Sequence, residues 1–208
     1  MLYAKYFKRT FDFLLATIAI IALSPIMIVL IIIGSIKLKG NPFFIQERPG
    51  RNEKIFKLIK FRTMTNEKDE NGIFLPDDVR LIPYGCFLRR SSLDELPELL
   101  NIWKGDMAIV GPRPLLTKYL PFYTEKERIR HTVRPGLTGL AQISGRNALA
   151  WDSRLALDVQ YTETISFLSD VNIILKTVIK VLRRENIADA GNFEMQDLDR
   201  EREKNCKK

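Results

Sequence analysis

An acidic pair set between arginines is the part of this sequence best suited to chemistry. Asp94 and Glu95 follow Arg89 and Arg90, and Arg113 lies in the Gly-Pro-Arg-Pro segment that comes after them. Adjacent carboxylates repel each other, so a site that keeps both ionised needs cations nearby, either arginines, a divalent metal ion or both. The pattern therefore predicts a site that binds an anion together with a metal ion.

The same residues also allow a purely structural interpretation. Ser92 could cap a helix, with Glu95 reaching back in a Ser-x-x-Glu capping box, while Asp94 favours the positive end of the helix dipole. Spacing alone does not separate the two interpretations. Both can hold together, because a helix start can present a carboxylate and a phosphate side by side.

Length and composition restrict what surrounds the acidic pair. A chain of 208 residues suits one domain, and its net charge of +8 fits nucleic acid, anionic lipid or a phosphorylated substrate. Two distant cysteines, Cys86 and Cys206, argue against a disulfide framework and for a reducing compartment. The single histidine, His131, argues against most zinc sites. Any catalysis therefore depends on carboxylates, lysine and arginine.

A long apolar segment precedes the acidic pair. Residues 13–36 contain no charged side chain, and at about 1.5 Å per residue a helix of that length suffices to cross a bilayer core. Ser24 and Pro25 lie at its centre, where proline removes a backbone donor and predicts a kink, while the serine hydroxyl can bond a freed carbonyl.

Basic residues flank this apolar segment on both sides. Lys5, Lys8 and Arg9 precede it, and Lys37 and Lys39 follow it. Both flanks thus carry the charge of a cytoplasmic end, which favours a re-entrant helix over a plain transmembrane anchor. A cleaved signal peptide fits poorly, because the apolar run is too long.

The rest of the chain predicts elements that could position the acidic pair. Two β-rich runs joined at Pro49-Gly50 predict a hairpin, and alternation along its second run allows one of Lys57, Lys60 and Arg62 to line a pocket. Residues 133–147 predict a glycine-rich loop whose backbone amides can approach a ligand. Residues 171–184 predict a basic amphipathic helix that lies on anionic lipid or packs on the core.

These motifs resemble those of the bacterial sugar transferase family, the monotopic phosphoglycosyl transferases, and in particular its small members of the N-glycosylation type. The resemblance runs from about Lys5 to Arg184. The motifs that carry it are Lys8-Arg9-x-x-Asp12, Ser24-Pro25, Arg48-Pro49-Gly50, Lys60-Phe61-Arg62-Thr63-Met64, Ser92-Leu93-Asp94-Glu95-Leu96-Pro97, Lys104-Gly105-Asp106-Met107, Gly111-Pro112-Arg113-Pro114, Arg134-Pro135-Gly136-Leu137-Thr138-Gly139 and Gly145-Arg146-Asn147.

The resemblance implies an α+β, mainly helical fold. We expect an N-terminal re-entrant membrane hairpin helix over residues 13–36, a small β-hairpin, and amphipathic interfacial helices around a cytoplasmic catalytic core. Residues 1–190 would form this single domain. Residues 191–208 are polar and are predicted to form a disordered tail.

The resemblance also implies a reaction. A sugar 1-phosphate, expected to be N-acetylated, would move from a UDP-sugar to polyprenol (undecaprenyl) phosphate with release of UMP, starting the assembly of a membrane glycoconjugate. Asp94 corresponds to the nucleophile that forms a covalent phosphosugar intermediate. Together with Glu95 it would bind the Mg²⁺ cofactor, which Mn²⁺ could replace.

Further residues acquire expected roles from the same resemblance. Lys60, Arg89 and Arg113 match positions that handle phosphate, whereas Gln142 and Arg146 match a segment near the nucleotide and the sugar. Asp158 and Tyr161 match a further Asp-x-x-Tyr pattern to which the sequence assigns no role, and they could simply be polar residues of the core.

The resemblance places the protein at the cytoplasmic face of the bacterial inner membrane, with the bilayer as a partner. Downstream glycosyltransferases and a second copy of the chain, as a homodimer, are further candidate partners. The alternative function is a non-catalytic, membrane-anchored scaffold that recruits glycan-assembly enzymes, which would not require the acidic pair. Nucleic acid is not an expected partner, because the basic residues flank apolar segments. The sequence does not name the sugar.

Overall fold

Helices make up most of the computed structural model, which describes residues 2–145, 149–183 and 197–206. The longest, α1, covers Lys8–Lys37 and follows a π-helical turn at Tyr3–Phe7. The shorter helices are α2 Asp77–Arg80, α3 Pro83–Ser91, α4 Glu98–Lys104, α5 Glu125–Arg128, α6 Leu140–Ser144, α7 Trp151–Glu163, α8 Phe167–Leu182 and α9 Leu198–Cys206. Short 3-10 helices occur at Arg51–Glu53, Leu93–Glu95, Thr117–Phe122 and Ile129–Thr132. The mainly helical class predicted from the sequence is confirmed.

The predicted hairpin is confirmed as well. Strands β1, Phe43–Pro49, and β2, Ile55–Phe61, pair antiparallel, with Phe43 opposite Phe61. Asn52 in the connecting turn has a φ of 54°, a left-handed conformation that asparagine tolerates better than most residues. The hairpin presents the side chain of Lys60, near the end of β2, to the acidic pair.

A second, parallel pair of strands brings two backbones unusually close. Strands β3, Ala108–Val110, and β4, Gly136–Thr138, pair in parallel. A Cβ on Gly136 would lie 2.1 Å from the backbone nitrogen of Gly111, so no larger residue fits there. At this position the glycine-rich stretch, which the sequence suggested could admit a ligand, packs one strand against another.

Helix α1 lies lengthwise against the rest of the domain. Its buried residues recur at intervals that keep them on one side of the helix: Lys8, Asp12, Ala16, Met27, Leu30 and Gly34. Of these, Ala16, Met27 and Leu30 pack against residues of β2, α3 and α4, namely Leu58, Phe61, Leu88, Leu99 and Ile102. Elsewhere large apolar side chains are exposed, as at Ile21 (69%) and Ile36 (70%). Only 17% of its most apolar 18-residue stretch is buried, whereas the core helix of a soluble protein is mostly buried.

Helix α1 continues through the proline at its centre. Pro25 leaves the carbonyl of Ile21 without its usual donor, and the Ser24 hydroxyl donates to that carbonyl at 2.8 Å. The expectation that Ser24 bonds a freed carbonyl is confirmed. The re-entrant path through a membrane stays a prediction.

A buried polar network fixes the N-terminal end of α1. The Lys8 ammonium donates to Asp170 Oδ2 of α8 at 2.6 Å, and Asp12 Oδ1 accepts from the backbone nitrogen of Ile109 at 3.1 Å. The Tyr161 hydroxyl of α7 lies 2.8 Å from Asp170 Oδ1. One end of the long helix is thereby tied to α7, α8 and β3.

Helix α8 corresponds to the predicted basic amphipathic helix, except that residue 184 lies outside the described part. Ile173 is buried in the core, whereas Leu175, Val178 and Ile179 are exposed. Part of the predicted apolar side therefore packs on the core and part is exposed. The exposed part is compatible with a position on lipid, which stays a prediction.

The C-terminal residues differ from the predicted disordered tail. Residues 191–196 and 207–208 lie outside the described part, but 198–206 form α9. Leu198 is fully buried against Tyr119 and Trp151, and Asp197 accepts a hydrogen bond from the Tyr119 hydroxyl at 2.8 Å. The buried Leu198 and ion pairs such as that of Arg202 with Glu127 hold this helix, and a polar local sequence gives little indication of them.

Candidate active site

The acidic pair lies in the 3-10 helix between α3 and α4. Ser92 precedes it with a left-handed backbone (φ 56°) and ends α3 by donating its amide to the Arg89 carbonyl at 3.2 Å. Within residues 2–145, which the structure describes, the Ser92 side chain accepts no capping hydrogen bond from the backbone. The capping-box interpretation is therefore wrong, and Glu95 is directed towards cations instead.

Glu95 accepts hydrogen bonds from two cations at one oxygen. The Lys60 ammonium and Arg113 Nη2 each lie 2.8 Å from Glu95 Oε1. Burial alone would raise the pKa of Glu95, but the charges and hydrogen bonds of Arg113 and Lys60 outweigh it and lower the pKa to about 2. Glu95 is thus ionised throughout the neutral range.

Glu98 is a third carboxylate that the sequence analysis missed. It is the first residue of α4, only 2% exposed, and its Oε1 lies 3.0 Å from the Lys60 ammonium. Burial and the charge of Glu95 raise the pKa of Glu98 to about 7, against the opposing effect of Lys60. The available signal was its position three residues after Glu95 at a helix start, which resembles ordinary acidic residues at helix N-termini.

Asp94 has a pKa shifted in the opposite direction from that of Glu95. Burial, followed by the charge of Glu95, raises the pKa of Asp94 to about 6, although Lys60, Arg113 and Arg89 act to lower it. Arg89 is oriented by Thr63, whose Oγ1 accepts from Arg89 Nε at 3.1 Å. At neutral pH Asp94 is therefore mostly ionised, yet more basic than an exposed aspartate.

Asn101 fixes the distance between Lys60 and Glu98. Its side-chain amide donates to the Lys57 carbonyl at 2.8 Å, and its Oδ1 accepts from the Ile59 amide at 3.0 Å. The side chain thereby satisfies two main-chain groups of β2 and anchors α4 to that strand. Two elements that are distant in sequence thus present one cation and one carboxylate to the same space.

Arg48 adds a guanidinium group that the sequence analysis noted only as part of a motif. It donates to Gln46 Oε1 at 2.6 Å and to the Pro114 carbonyl at 3.3 Å. Burial and the charge of Arg113 lower its pKa, whereas the charge of Glu98 acts in the opposite direction. Arg48 therefore extends the cationic lining on the Arg113 side of the carboxylates.

The structure brings together Lys60, Glu95 and Arg113 as predicted, with Asp94 and Arg89 beside them. Gln142, in α6, instead donates to the Leu137 carbonyl of β4 at 2.9 Å. Its contact with a nucleotide or sugar stays a prediction. Arg146 lies outside the described residues.

The carboxylates of the candidate site could supply only some of the ligands that a hard divalent ion such as Mg²⁺ needs. Across the three described ranges, no group of three or more His, Cys, Asp and Glu side chains is arranged to hold a metal ion. Asp94 and Glu95 nevertheless offer the carboxylate oxygens that Mg²⁺ takes, and Mg²⁺ commonly combines one or two carboxylates with substrate phosphate. The residues therefore fit an ion shared with a bound phosphate group, not a closed protein site.

The chain matches the family model described as "Bacterial sugar transferase" over residues 3–184. It is 50% identical over 185 residues to a Bacillus subtilis protein named Uncharacterized sugar transferase EpsL, covering 89% of this chain and 92% of that protein. It is 42% identical over 190 residues to the Exopolysaccharide production protein ExoY of Sinorhizobium fredii, covering 82% of this chain and 83% of that protein. It is 35% identical over 200 residues to the Undecaprenyl-phosphate galactose phosphotransferase of Salmonella typhimurium, covering 88% of this chain and 42% of that protein.

Replacing Lys60 by methionine should destabilise the fold more at pH 8 than at pH 5.5. Without Lys60 the pKa values of Glu95 and Glu98 rise in the folded state, so stability is lost as pH rises from their unfolded values through the raised ones. At pH 8 we expect a loss of roughly 3–5 kcal/mol, typical of a broken buried ion pair. Thermal unfolding of the parent and variant proteins in detergent, at pH 5.5 and pH 8, measures this loss of stability.

Lys57→Met is the matched control, because Lys57 is an exposed residue of the same strand. It should change the free energy of unfolding little at either pH. Equal losses for the two variants, or a Lys60→Met loss that does not depend on pH, would contradict this description of the site.

Proposed function

This chain belongs to the bacterial sugar transferase family, and we propose that it transfers a sugar 1-phosphate from a UDP-sugar to undecaprenyl phosphate with release of UMP. The Salmonella relative is named as an undecaprenyl-phosphate galactose phosphotransferase, which supports this class of reaction. The observation that carries the proposal is an ionisable, partly buried Asp94 beside Lys60 and Arg113, because these cations can bind the oxygens of a diphosphate. The N-acetylated sugar stays a prediction.

Asp94 acts as the nucleophile in this proposal. A carboxylate oxygen attacks the phosphorus that bears the sugar, and the bond from that phosphorus to the bridging oxygen breaks, so UMP leaves with that oxygen. An oxygen of undecaprenyl phosphate then attacks the same phosphorus, and Asp94 leaves as a free carboxylate. The acceptor phosphate is already ionised near neutral pH and needs little help from a base.

The neighbouring residues prepare this step. Lys60 and Arg113 hold Glu95 in the free protein and are placed to share their protons with phosphate oxygens when a substrate binds. Mg²⁺ or Mn²⁺ held by Asp94 and Glu95 would supply further neutralisation of the diphosphate charge. Glu95 is suited to that role, because it remains ionised over the whole neutral range.

We also propose that α1 is re-entrant and keeps both ends at the cytoplasmic face. Lys8 near its start binds Asp170, and the Leu30 carbonyl near its end accepts from the Tyr84 hydroxyl at 2.8 Å. Both ends thus contact the same folded unit, whereas a straight span would separate them by the thickness of a bilayer. The exposed apolar residues of α1 and α8 would face lipid.

Purified full-length protein in nanodiscs should release UMP from at least one member of a UDP-sugar panel when undecaprenyl phosphate and Mg²⁺ are present. Excess chelator should abolish the release, and Mg²⁺ or Mn²⁺ should restore it. Asp94→Asn should be inactive, whereas Glu70→Gln, an acidic residue in an exposed loop, should retain parental activity. Lipid binding without UMP release from any UDP-sugar would instead favour the scaffold function.

The pH dependence should show an acid limb at or below about pH 6, because a protonated Asp94 cannot attack and bound cations lower its pKa further. The rate of a single turnover should fall about tenfold per pH unit below that limb. His131→Gln is the control, since burial and Arg130 lower the pKa of His131 to about 4. A limb that disappears in His131→Gln would exclude Asp94 as its source.

Cysteine labelling tests the path of α1. In a background without Cys86 and Cys206, single cysteines at Lys5 and Lys39, both exposed, should resist a membrane-impermeant maleimide in intact spheroplasts. Both should react after permeabilisation. Labelling of only one of them in intact spheroplasts would demonstrate a span and contradict the re-entrant path.

A further inference from the structure

Arg113 lies in a turn that can donate few main-chain hydrogen bonds. Pro112 and Pro114 flank it, and neither has a backbone N–H group. The turn is held through its carbonyl groups instead: the Gly136 amide donates to the Pro112 carbonyl at 2.9 Å, and Arg130 Nη2 donates to the Arg113 carbonyl at 2.7 Å. The position of the Arg113 side chain therefore depends on groups outside the turn.

Arg130 is itself oriented by Asp158 on α7. Its Nε and Nη2 both donate to Asp158 Oδ2, at 3.1 and 2.8 Å. Each of the two residues is 2% exposed, so water cannot replace either partner. Because Nη2 carries two protons, it can serve Asp158 and the Arg113 carbonyl together. The Asp158 carboxylate thus orients the Arg130 guanidinium for its hydrogen bond to the Arg113 carbonyl.

Tyr161, one helical turn further along α7, lies against the strand that leads into the same turn. Its hydroxyl is 3.0 Å from the Val110 carbonyl and 2.8 Å from Asp170 Oδ1, and one proton is shared between them. Asp158 and Tyr161 are three residues apart and therefore project from one side of α7. Through Arg130 and Tyr161, α7 reaches both the beginning and the end of the segment 110–113.

Stability alone is a weak reason for burying this ion pair. Removing two charges from water costs free energy that their attraction only partly returns, and an apolar pair of similar volume is often as stable. The hydrogen bond from Arg130 to the Arg113 carbonyl is what an apolar pair could not supply. It links the pair directly to a residue of the candidate active site.

We propose that Asp158, acting through Arg130, is a positioning residue for Arg113. It fixes the main chain at Arg113 so that the guanidinium meets Glu95 at 2.8 Å and, in the reaction proposed above, the substrate phosphate. The inference rests on that reaction for its activity readout. Misplacing a phosphate-binding group by about 1 Å should lower the rate by roughly 100-fold.

The informative variant replaces the whole pair, Arg130→Met with Asp158→Leu. Asp158→Asn alone would leave a buried arginine without its counter-charge and could prevent folding. The control replaces a second, partly exposed ion pair, Glu53→Leu with Arg128→Met, in which Arg128 Nη1 lies 2.5 Å from Glu53 Oε1. We expect both double variants to fold, as judged by thermal unfolding, and only the first to lose kcat for UMP release by about 10- to 100-fold.

A double-mutant cycle with Arg113→Lys separates positioning from a general effect on the fold. Arg113→Lys removes the planar guanidinium, so the Arg130→Met, Asp158→Leu change should cost less than threefold in that background. Full additivity of the two losses, or parental activity in the folded pair variant, would overturn the proposal.

A second readout keeps this test separate from the proposed reaction. If the parent protein releases no UMP from any UDP-sugar, the proposed reaction fails, and the same cycle is then measured as thermal stabilisation by inorganic pyrophosphate. Loss of that stabilisation in the pair variant, without further loss in Arg113→Lys, would support the positioning role. Parental stabilisation in the pair variant, or additive losses, would overturn it.

Discussion

Three carboxylates lie close together in a partly buried space, and their mutual charge is what the site must accommodate. Glu95 repels both Asp94 and Glu98, and loss of contact with water adds to the cost of ionising each of the three. Lys60 and Arg113 resolve the conflict unequally, because both bind Glu95. The pKa of Glu95 falls while the pKa values of its two neighbours rise. One environment thus produces a permanent anion, a basic candidate nucleophile and a carboxyl group that titrates near neutrality.

The fold can be understood as the means of bringing these charges together. Lys60 comes from β2, Glu98 from α4 and Arg113 from the turn after β3, and polar side chains fix these elements to their neighbours. Asn101 joins α4 to β2, and Arg130 joins the Arg113 turn to α7. Behind them one side of α1 supplies apolar residues to the core, so the segment suited to a membrane also supports the candidate site.

Features that depend on residues close together in the sequence could be predicted from the sequence. The Pro-Gly turn between β-rich runs predicted the hairpin, and the uncharged run predicted α1. The acidic pair among arginines predicted a grouping of charges that the structure contains, whereas its role as a site stays a prediction. The failures involve long-range contacts. Ser92 and Glu95 have the spacing of a capping box, but the capping hydrogen bond does not form. The Ser92 backbone is left-handed, and Lys60 and Arg113 bind the Glu95 carboxylate instead. Glu98 acquires its role only when Asn101 docks α4 on β2, and α9 is held by Leu198 against two aromatic rings distant in sequence.

If Asp94 carries the phosphosugar in the proposed reaction, intact-protein mass spectrometry should detect it. We expect the protein, incubated with Mg²⁺ and its UDP-sugar but without undecaprenyl phosphate, to gain the mass of one sugar phosphate and to release up to one UMP per site. Peptide mapping should place the adduct on Asp94, and Asp94→Asn should not form it. An adduct that persists in Asp94→Asn, or UMP release that strictly requires the lipid acceptor, would show that Asp94 is not the nucleophile.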